Sequence, residues 1–281
     1  MLRIGIVGTE NSHADHFVRH LNIDQHRQDA RVVALAGGDT ERNRTLADQG
    51  GIDTVTGSLA EVMDQIDAAV VCNRHGGLHR EHAVPLLEAG KHVFVDKPTS
   101  TTVADTEAMI KAAQAGGGVL ASWSILRHAP GILDLRKAAG ELGESSVVTV
   151  LGPADPDDPH AGLFFYGPHV VEAALELLGN PELDGGVSVH TVKDGVVATA
   201  QAGGTQLVLV FIRRADGGRV PWHATVAGPN GVAHREITSD TLAHGTGLDR
   251  FLDAALAGQA PAPYAELVTP VRLLTAITEQ L

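Results

Sequence analysis

The sequence predicts an α/β protein in two parts: an N-terminal parallel sheet with helices between its strands, then an α+β part with an open, mainly antiparallel sheet. Three observations carry this. Over the first 120 residues short apolar runs alternate with amphipathic stretches, the rhythm of βαβ units. Beyond about residue 123 strands follow one another, separated by the turn sequences KDG, AGG, ADGG and PNG. The composition agrees, since 43% hydrophobic residues with only 4% aromatic and 32 glycines imply a core of Val, Leu, Ile and Ala, suited to helices laid on a sheet.

Taken in order, the first part places strands at Leu2–Val7, Arg31–Ala36, Thr54–Val55, Ala68–Cys72, His92–Val95 and Val119–Ser122. After Leu78 a helix stacks Leu78, His82 and Leu86 and stops at Gly90. Residues 101–116 open with threonine caps and end in a glycine run. The second part places a helix at Gly131–Leu142, a strand at Ser146–Leu151 and an apolar helix from His169 to Leu178. Strands follow near Gly186–His190, Gly195–Gln201, Thr205–Arg213, Val220–Ala227 and Val232–Ile237, and helices at Leu248–Ala257 and Ala265–Gln280 close the chain. At 281 residues, and about 150 per domain, two domains are expected, 1–122 and 123–281.

The net charge of −13 repels polyphosphate and anionic lipid, which argues against nucleic-acid and membrane partners. A single cysteine, Cys72, allows neither an internal disulfide nor a four-thiolate zinc site, in keeping with a cytoplasmic protein. The opening MLRIGIVGTE enters a turn directly, so folding is expected from residue 2, and no stretch reaches the ~18 apolar residues of a membrane span.

Parallel α/β sheets bind ligands beyond the carboxyl ends of their strands. The first such turn reads GIVGTENSHADHF, where the dinucleotide fingerprint G-x-G-x-x-G would put glycines at the positions of Gly8, Glu10 and His13. Only Gly8 is present. Thr9, Asn11 and Ser12 offer donors at a helix start, where anions are favoured. Glu10 stands where a missing side chain normally admits the pyrophosphate, so either the loop is displaced or the carboxylate turns outward. The second strand should end in an acid for the adenosine ribose but supplies Gly37 and Gly38 before Asp39. Asp39 two positions late suits a hydroxyl, whereas Arg42 and Arg44 suit a 2′-phosphate, which leaves NAD and NADP both open.

The segment AAVVCNRHGGLHREHAVPLLEAGKHVFVDKPTS resembles the signature of the Gfo/Idh/MocA oxidoreductases, with His79, Gly90, Lys91, His92, Val93, Asp96, Lys97 and Pro98 in order. SWSILRHAP, GELGESSVVTV and FLDAALAGQAPAP extend the resemblance over nearly the whole chain. It implies a Rossmann domain followed by an α+β substrate and oligomerisation domain. By this resemblance Lys97 is a catalytic residue bonded to a substrate hydroxyl, followed by a peptide bond to proline that is often cis. A partly dehydrated cleft would lower its pKa. The partner base implied is His169, with Phe165 where the family has an aspartate and Glu172 one helical turn on as a substitute support.

The cofactor set implied is Gly8, Thr9, Glu10, Asn11, Ser12, His13, Asp39, Arg74, His75, His79, Asp96 and Pro98. Trp123, Arg127, His128, Tyr166 and Glu172 would shape the substrate pocket. Arg74 and His75 replace the usual Thr-Pro and, with Lys97 and Arg127, raise an anionic small-molecule substrate. The leading expectation is therefore an NAD(P)-dependent oxidoreductase of a sugar, inositol or related polyol, assembled as a dimer or tetramer through the strands from Thr205 to Ala227. Two alternatives stand beside it. One is a non-redox ligand-binding relative, raised by the missing glycines. The other is a metal hydrolase built on His13, His16 and His20 or on His75, His79 and His82, among 15 histidines.

Overall fold

The computed structural model describes residues 1–57, 59–238 and 241–281. They form two compact units: Met1–Ser100 with Ala104–Ser122 and His244–Tyr264, and Thr101–Val103 with Trp123–Ala243 and Ala265–Leu281.

Unit 1 is built on β1 (Leu2–Val7), β2 (Ala30–Ala36), β3 (Thr54–Thr56), β4 (Ala68–Val71), β5 (His92–Val95) and β6 (Leu120–Ser122), all parallel, in the order β3-β2-β1-β4-β5-β6. The reversal of strand order between β1 and β4 opens the crevice in which such sheets hold ligands. Its helices are α1 (His13–Val18), which runs into a π turn at Arg19–Ile23, α2 (Thr40–Gly50), α3 (Leu59–Val62), α4 (His79–Glu88) and α5 (Val103–Gly116). β4 is buried at every residue, as expected of a strand covered on both faces. Glycine ends α4 as the sequence predicts: Gly90 has φ +74°, and its N–H donates to Leu87 O at 2.9 Å.

Unit 2 contains α6 (Pro130–Ala139), β7 (Val147–Pro153), α7 (Leu163–Leu177), β8 (Ser188–Val192), β9 (Gly195–Ala202), β10 (Thr205–Ile212), β11 (Trp222–Gly228) and β12 (Gly231–Ile237). The strand order is β12-β11-β7-β10-β9-β8. All pairs are antiparallel except β7 with β10. β10 alternates along its length, with Thr205, Leu207, Leu209 and Phe211 buried and Gln206, Val208, Val210 and Ile212 half-buried. Its inner residues join α7 in one core with Val148, Val150, Val170 and Ala174. The predicted start of this helix at His169 is corrected to Leu163. Pro168 reads as a boundary in the sequence, yet α7 accommodates it in its second turn.

The chain closes with α8 (Thr241–Ala257) and α9 (Ala265–Thr278). In unit 1, Phe251 and Leu252 of α8 are wholly buried, and the Phe251 ring lies 5.7 Å from that of Phe94 on β5. Among the described residues no helix is long and apolar enough to cross a membrane.

Candidate active site

At the carboxyl edge of the parallel sheet, β1 is followed by Gly8 with φ +76°. A Cβ there would stand 2.3–2.7 Å from the Asn73 carboxamide, so only glycine lets the turn close. Thr9 is fully buried and hydrogen-bonds Asn43. The Arg42 guanidinium is held by Thr9 O at 2.5 Å, Asn11 O at 3.2 Å and the Asp15 carboxylate. Asp39, expected to reach a ribose hydroxyl, instead caps α2, its Oδ1 accepting from the Arg42 N–H at 2.7 Å. Ser12 makes no side-chain bond to cap α1.

The Glu10 side chain turns across the sheet edge. Its Oε1 accepts from the Arg74 N–H at 2.9 Å and from Asn73 Nδ2 at 3.3 Å. Arg74 returns the contact through its guanidinium to Glu10 O at 2.6 Å. Both groups raised as local positive charge are thus turned onto the protein itself, for His75 uses Nδ1 to accept from the Gly77 N–H at 3.1 Å and cap a short turn.

Beyond β5, Asp96 anchors the loop after β1. Its carboxylate accepts from Asn11 Nδ2 at 3.0 Å and lies 2.9 Å from His13 Nδ1. Burial alone would raise its pKa, but His13, Lys97 and His79 together hold it well below the usual carboxylate range. Lys97 is buried at 4% exposure, and the Lys97–Pro98 peptide is cis. His79, expected near the cofactor, lies wholly inside: Nδ1 is 2.8 Å from Pro98 O and Nε2 2.8 Å from Asn73 O, so the ring ties the β4 and β5 loops together. Burial lowers its pKa.

Three buried polar atoms at this edge find no partner among the described residues: Glu10 Oε2, Asn73 Oδ1 and Ser122 Oγ. The first two are acceptors, so what answers them is a donor such as a hydroxyl or an amide. This donor demand, beside the Gly8 turn at the strand-order reversal, fits a dinucleotide with its ribose hydroxyls and carboxamide.

In unit 2, α7 carries His169, buried at 3% exposure, with Nδ1 2.7 Å from Ser124 Oγ. Glu172, expected to support the ring, reaches it through Ser124. Its Oε2 accepts from the Ser124 N–H at 2.7 Å, so it positions Ser124, which holds His169. Tyr166 and Trp222 surround the imidazole at ring-centre distances of 5.7 and 5.4 Å and stack on each other at 6.4 Å. Gly152 makes room for the indole, since a Cβ there would stand 2.3 Å from it. A cavity of about 360 Å³ opens over this aromatic pair, lined also by Arg214 and Pro153. Ser124 and Trp222 escape the sequence reading. A serine before ILRH and a tryptophan at a strand start carry no local sign of the histidine they meet.

Arg127 is a correction. Expected to shape a pocket, it is 4% exposed and paired with Glu176 at 2.8 Å and Glu266 at 2.6 Å. Burial would lower its pKa, but Glu172, Glu176 and Glu266 raise it. Trp123 is buried, with its ring 5.3 Å from that of His128. The metal alternative is not favoured. His13 faces Asp96, His20 faces Asp249 at 2.9 Å, and the described residues hold no group of three or more metal-binding side chains.

The chain is also similar to known proteins. Residues 2–122 match the model of an oxidoreductase family with an NAD-binding Rossmann fold, GFO_IDH_MocA. A 1,5-anhydro-D-fructose reductase from Ensifer adhaerens is 32% identical over 167 residues, 58% of this chain and 46% of that protein. Inositol 2-dehydrogenase 3 from Saccharopolyspora erythraea is 32% identical over 128 residues, 45% of this chain and 37% of that protein. The chain thus spans about half the length, or less, of these curated relatives. The crystal structure of a probable dehydrogenase from Thermotoga maritima superposes with a TM-score of 0.85 at 19% identity, covering 100% of this chain and 96% of that one, and shares the fold.

Proposed function

We propose, from the premise that this chain belongs to the Gfo/Idh/MocA oxidoreductase family, that it is an NAD(P)-dependent dehydrogenase or reductase of a sugar, inositol or related polyol. The observation that carries the reading is the set of unanswered buried acceptors, Glu10 Oε2 and Asn73 Oδ1, beside the Gly8 turn. The loop from Gly8 to Ser12, with Asn73 and the Asp96–Pro98 segment, would hold the cofactor. When bound, the nicotinamide accepts or supplies the hydride.

Lys97 is assigned the polarising role. Its ammonium donates to the substrate oxygen and stabilises negative charge as it develops there. His169 is assigned proton exchange: with Nδ1–H donated to Ser124 Oγ, Nε2 carries the lone pair that takes a hydroxyl proton and returns it in the reverse direction. Tyr166 and Trp222 offer flat apolar faces suited to the C–H face of a sugar ring. A cytoplasmic location belongs to the same reading, supported by a lone, buried thiol.

The test is thermal. A dinucleotide that binds only the folded chain at about a hundred times its Kd stabilises it by about 2.7 kcal/mol, a rise in Tm of several degrees. NADH or NADPH is expected to produce that rise, and no shift with either at millimolar concentration would remove the dehydrogenase reading.

We also assign homodimerisation to the outer face of the second sheet, where Val208, Val210 and Ile212 of β10 and Leu151 of β7 are half-buried on the side away from α7. Light scattering is expected to give at least twice the chain mass for the wild type and the chain mass for a Val208→Glu/Val210→Glu variant. A monomeric wild type would overturn this assignment.

A further inference from the structure

The geometry points to Glu10 as the residue that reads the adenosine ribose, accepting from its hydroxyl and so selecting NAD(H) over NADP(H). The inference rests on the dinucleotide site proposed above and assigns its specificity to a residue outside the usual position.

Dinucleotide folds that take NAD place an acid at the end of the second strand, where it accepts from the ribose 2′-hydroxyl. Here that place is bare. Gly37 and Gly38 follow β2 with φ +68° and +70°, and the acid that comes next, Asp39, is occupied as the cap of α2. An acid at position 38 has no room either, since a Cβ on Gly38 would stand 2.9 Å from Thr9 Oγ1. That same Cβ position is 3.5 Å from Glu10 Oε2. A carboxylate oxygen therefore stands within side-chain reach of the end of β2, delivered from the β1 loop.

Its chemistry fits the ligand group. Oε1 is anchored on the Arg74 N–H and Asn73, which fixes the carboxylate, while Oε2 is buried with no donor among the described residues. A carboxylate oxygen is answered by a hydroxyl, which donates. It is not answered by a 2′-phosphate, which only accepts at neutral pH and carries like charge. Arg42, the cation best placed in sequence to receive a 2′-phosphate, is already held by two loop carbonyls and Asp15. Two departures from the motif, a glutamate where the fingerprint has glycine and glycines where β2 should end in an acid, become one exchange of positions.

NADH and NADPH binding to the full chain, measured separately by calorimetry, tests this. The wild type is expected to bind NADH at least about tenfold more tightly. Glu10→Gln keeps an Oε1 acceptor for the Arg74 N–H but puts an amide donor at the other atom, so NADH affinity falls, NADPH affinity rises, and the ratio collapses about tenfold or more. Glu10→Asp keeps the charge but withdraws it from Gly38. NADH weakens without a gain for NADPH, which gives a second measure should the glutamine variant fold poorly. Equal or tighter NADPH binding by the wild type, or an unchanged ratio in folded Glu10→Gln, would overturn the inference and leave the dinucleotide site intact. Binding of neither dinucleotide would overturn both.

Discussion

His169→Asn is expected to lower turnover about a hundred- to ten-thousandfold while leaving dinucleotide binding and Tm nearly unchanged. Asparagine keeps a polar group near Ser124 but removes the nitrogen that exchanges the proton. The lost interaction acts on the reacting hydroxyl, so kcat falls with little change in KM. The support chain gives a graded companion. Ser124→Ala removes the oxygen 2.7 Å from Nδ1 and leaves the ring less well oriented, an expected loss of about tenfold with a shifted pH profile. Substrate oxidation at an undiminished rate by His169→Asn would take the histidine out of the mechanism.

Arg127→Met is expected to have the largest effect on stability. Methionine fills similar space, but Glu176, with 7% of its side chain exposed, and Glu266 lose a cation within 2.8 Å. Arg136 and Asn180 still reach Glu176, and among the described residues no second ion pair holds Glu266. Leaving the buried Glu176 with one cation fewer, and the half-buried Glu266 without Arg127, costs about 3 kcal/mol, the low end for a broken buried pair. At roughly 2–4 °C per kcal/mol for a chain of this class, Tm falls by about 10 °C.

The pH dependence has a definite sign. Burial would raise the pKa of Glu176, yet Arg127 and Asn180 hold it below the ordinary value in the fold. Its pairing therefore stabilises the wild type above the ordinary carboxylate range and is lost as pH falls through the lowered value. Without Arg127 the buried carboxylate takes up a proton sooner. The stability gap is thus widest near neutral pH and narrows as pH falls into the ordinary carboxylate range. A variant melting within 2 °C of the wild type at pH 7, measured in parallel, would show that the pairs contribute nothing net.

How far the sequence could be read follows from the range of each interaction. Leu2–Val7 and His92–Val95 are read to the residue because a buried strand is a local apolar run and glycine punctuation is equally local. The loop after β1 shows itself through Gly8, but the direction of Glu10 does not, being set by Asn73 and Arg74 from the loop after β4. Arg127 looks like a ligand cation until Glu176 and Glu266, 49 and 139 residues away, come beside it. His79 matches a motif by spacing, and only the fold shows both ring nitrogens facing carbonyls. The parallel pairing of β7 with β10 is hidden for the same reason, because strand composition does not record direction.

The docking of α8 in unit 1 has a consequence for synthesis. β5 presents Phe94, which meets Phe17 of α1 and Phe251 of α8, and the second is made only after all the strands of unit 2. As the chain leaves the ribosome at about 5–20 residues per second, the first sheet waits several seconds or more with the surface that α8 covers exposed. Phe251 and Leu252 are buried only once α8 has emerged, so the covering of this part of the first sheet is one of the last steps of synthesis.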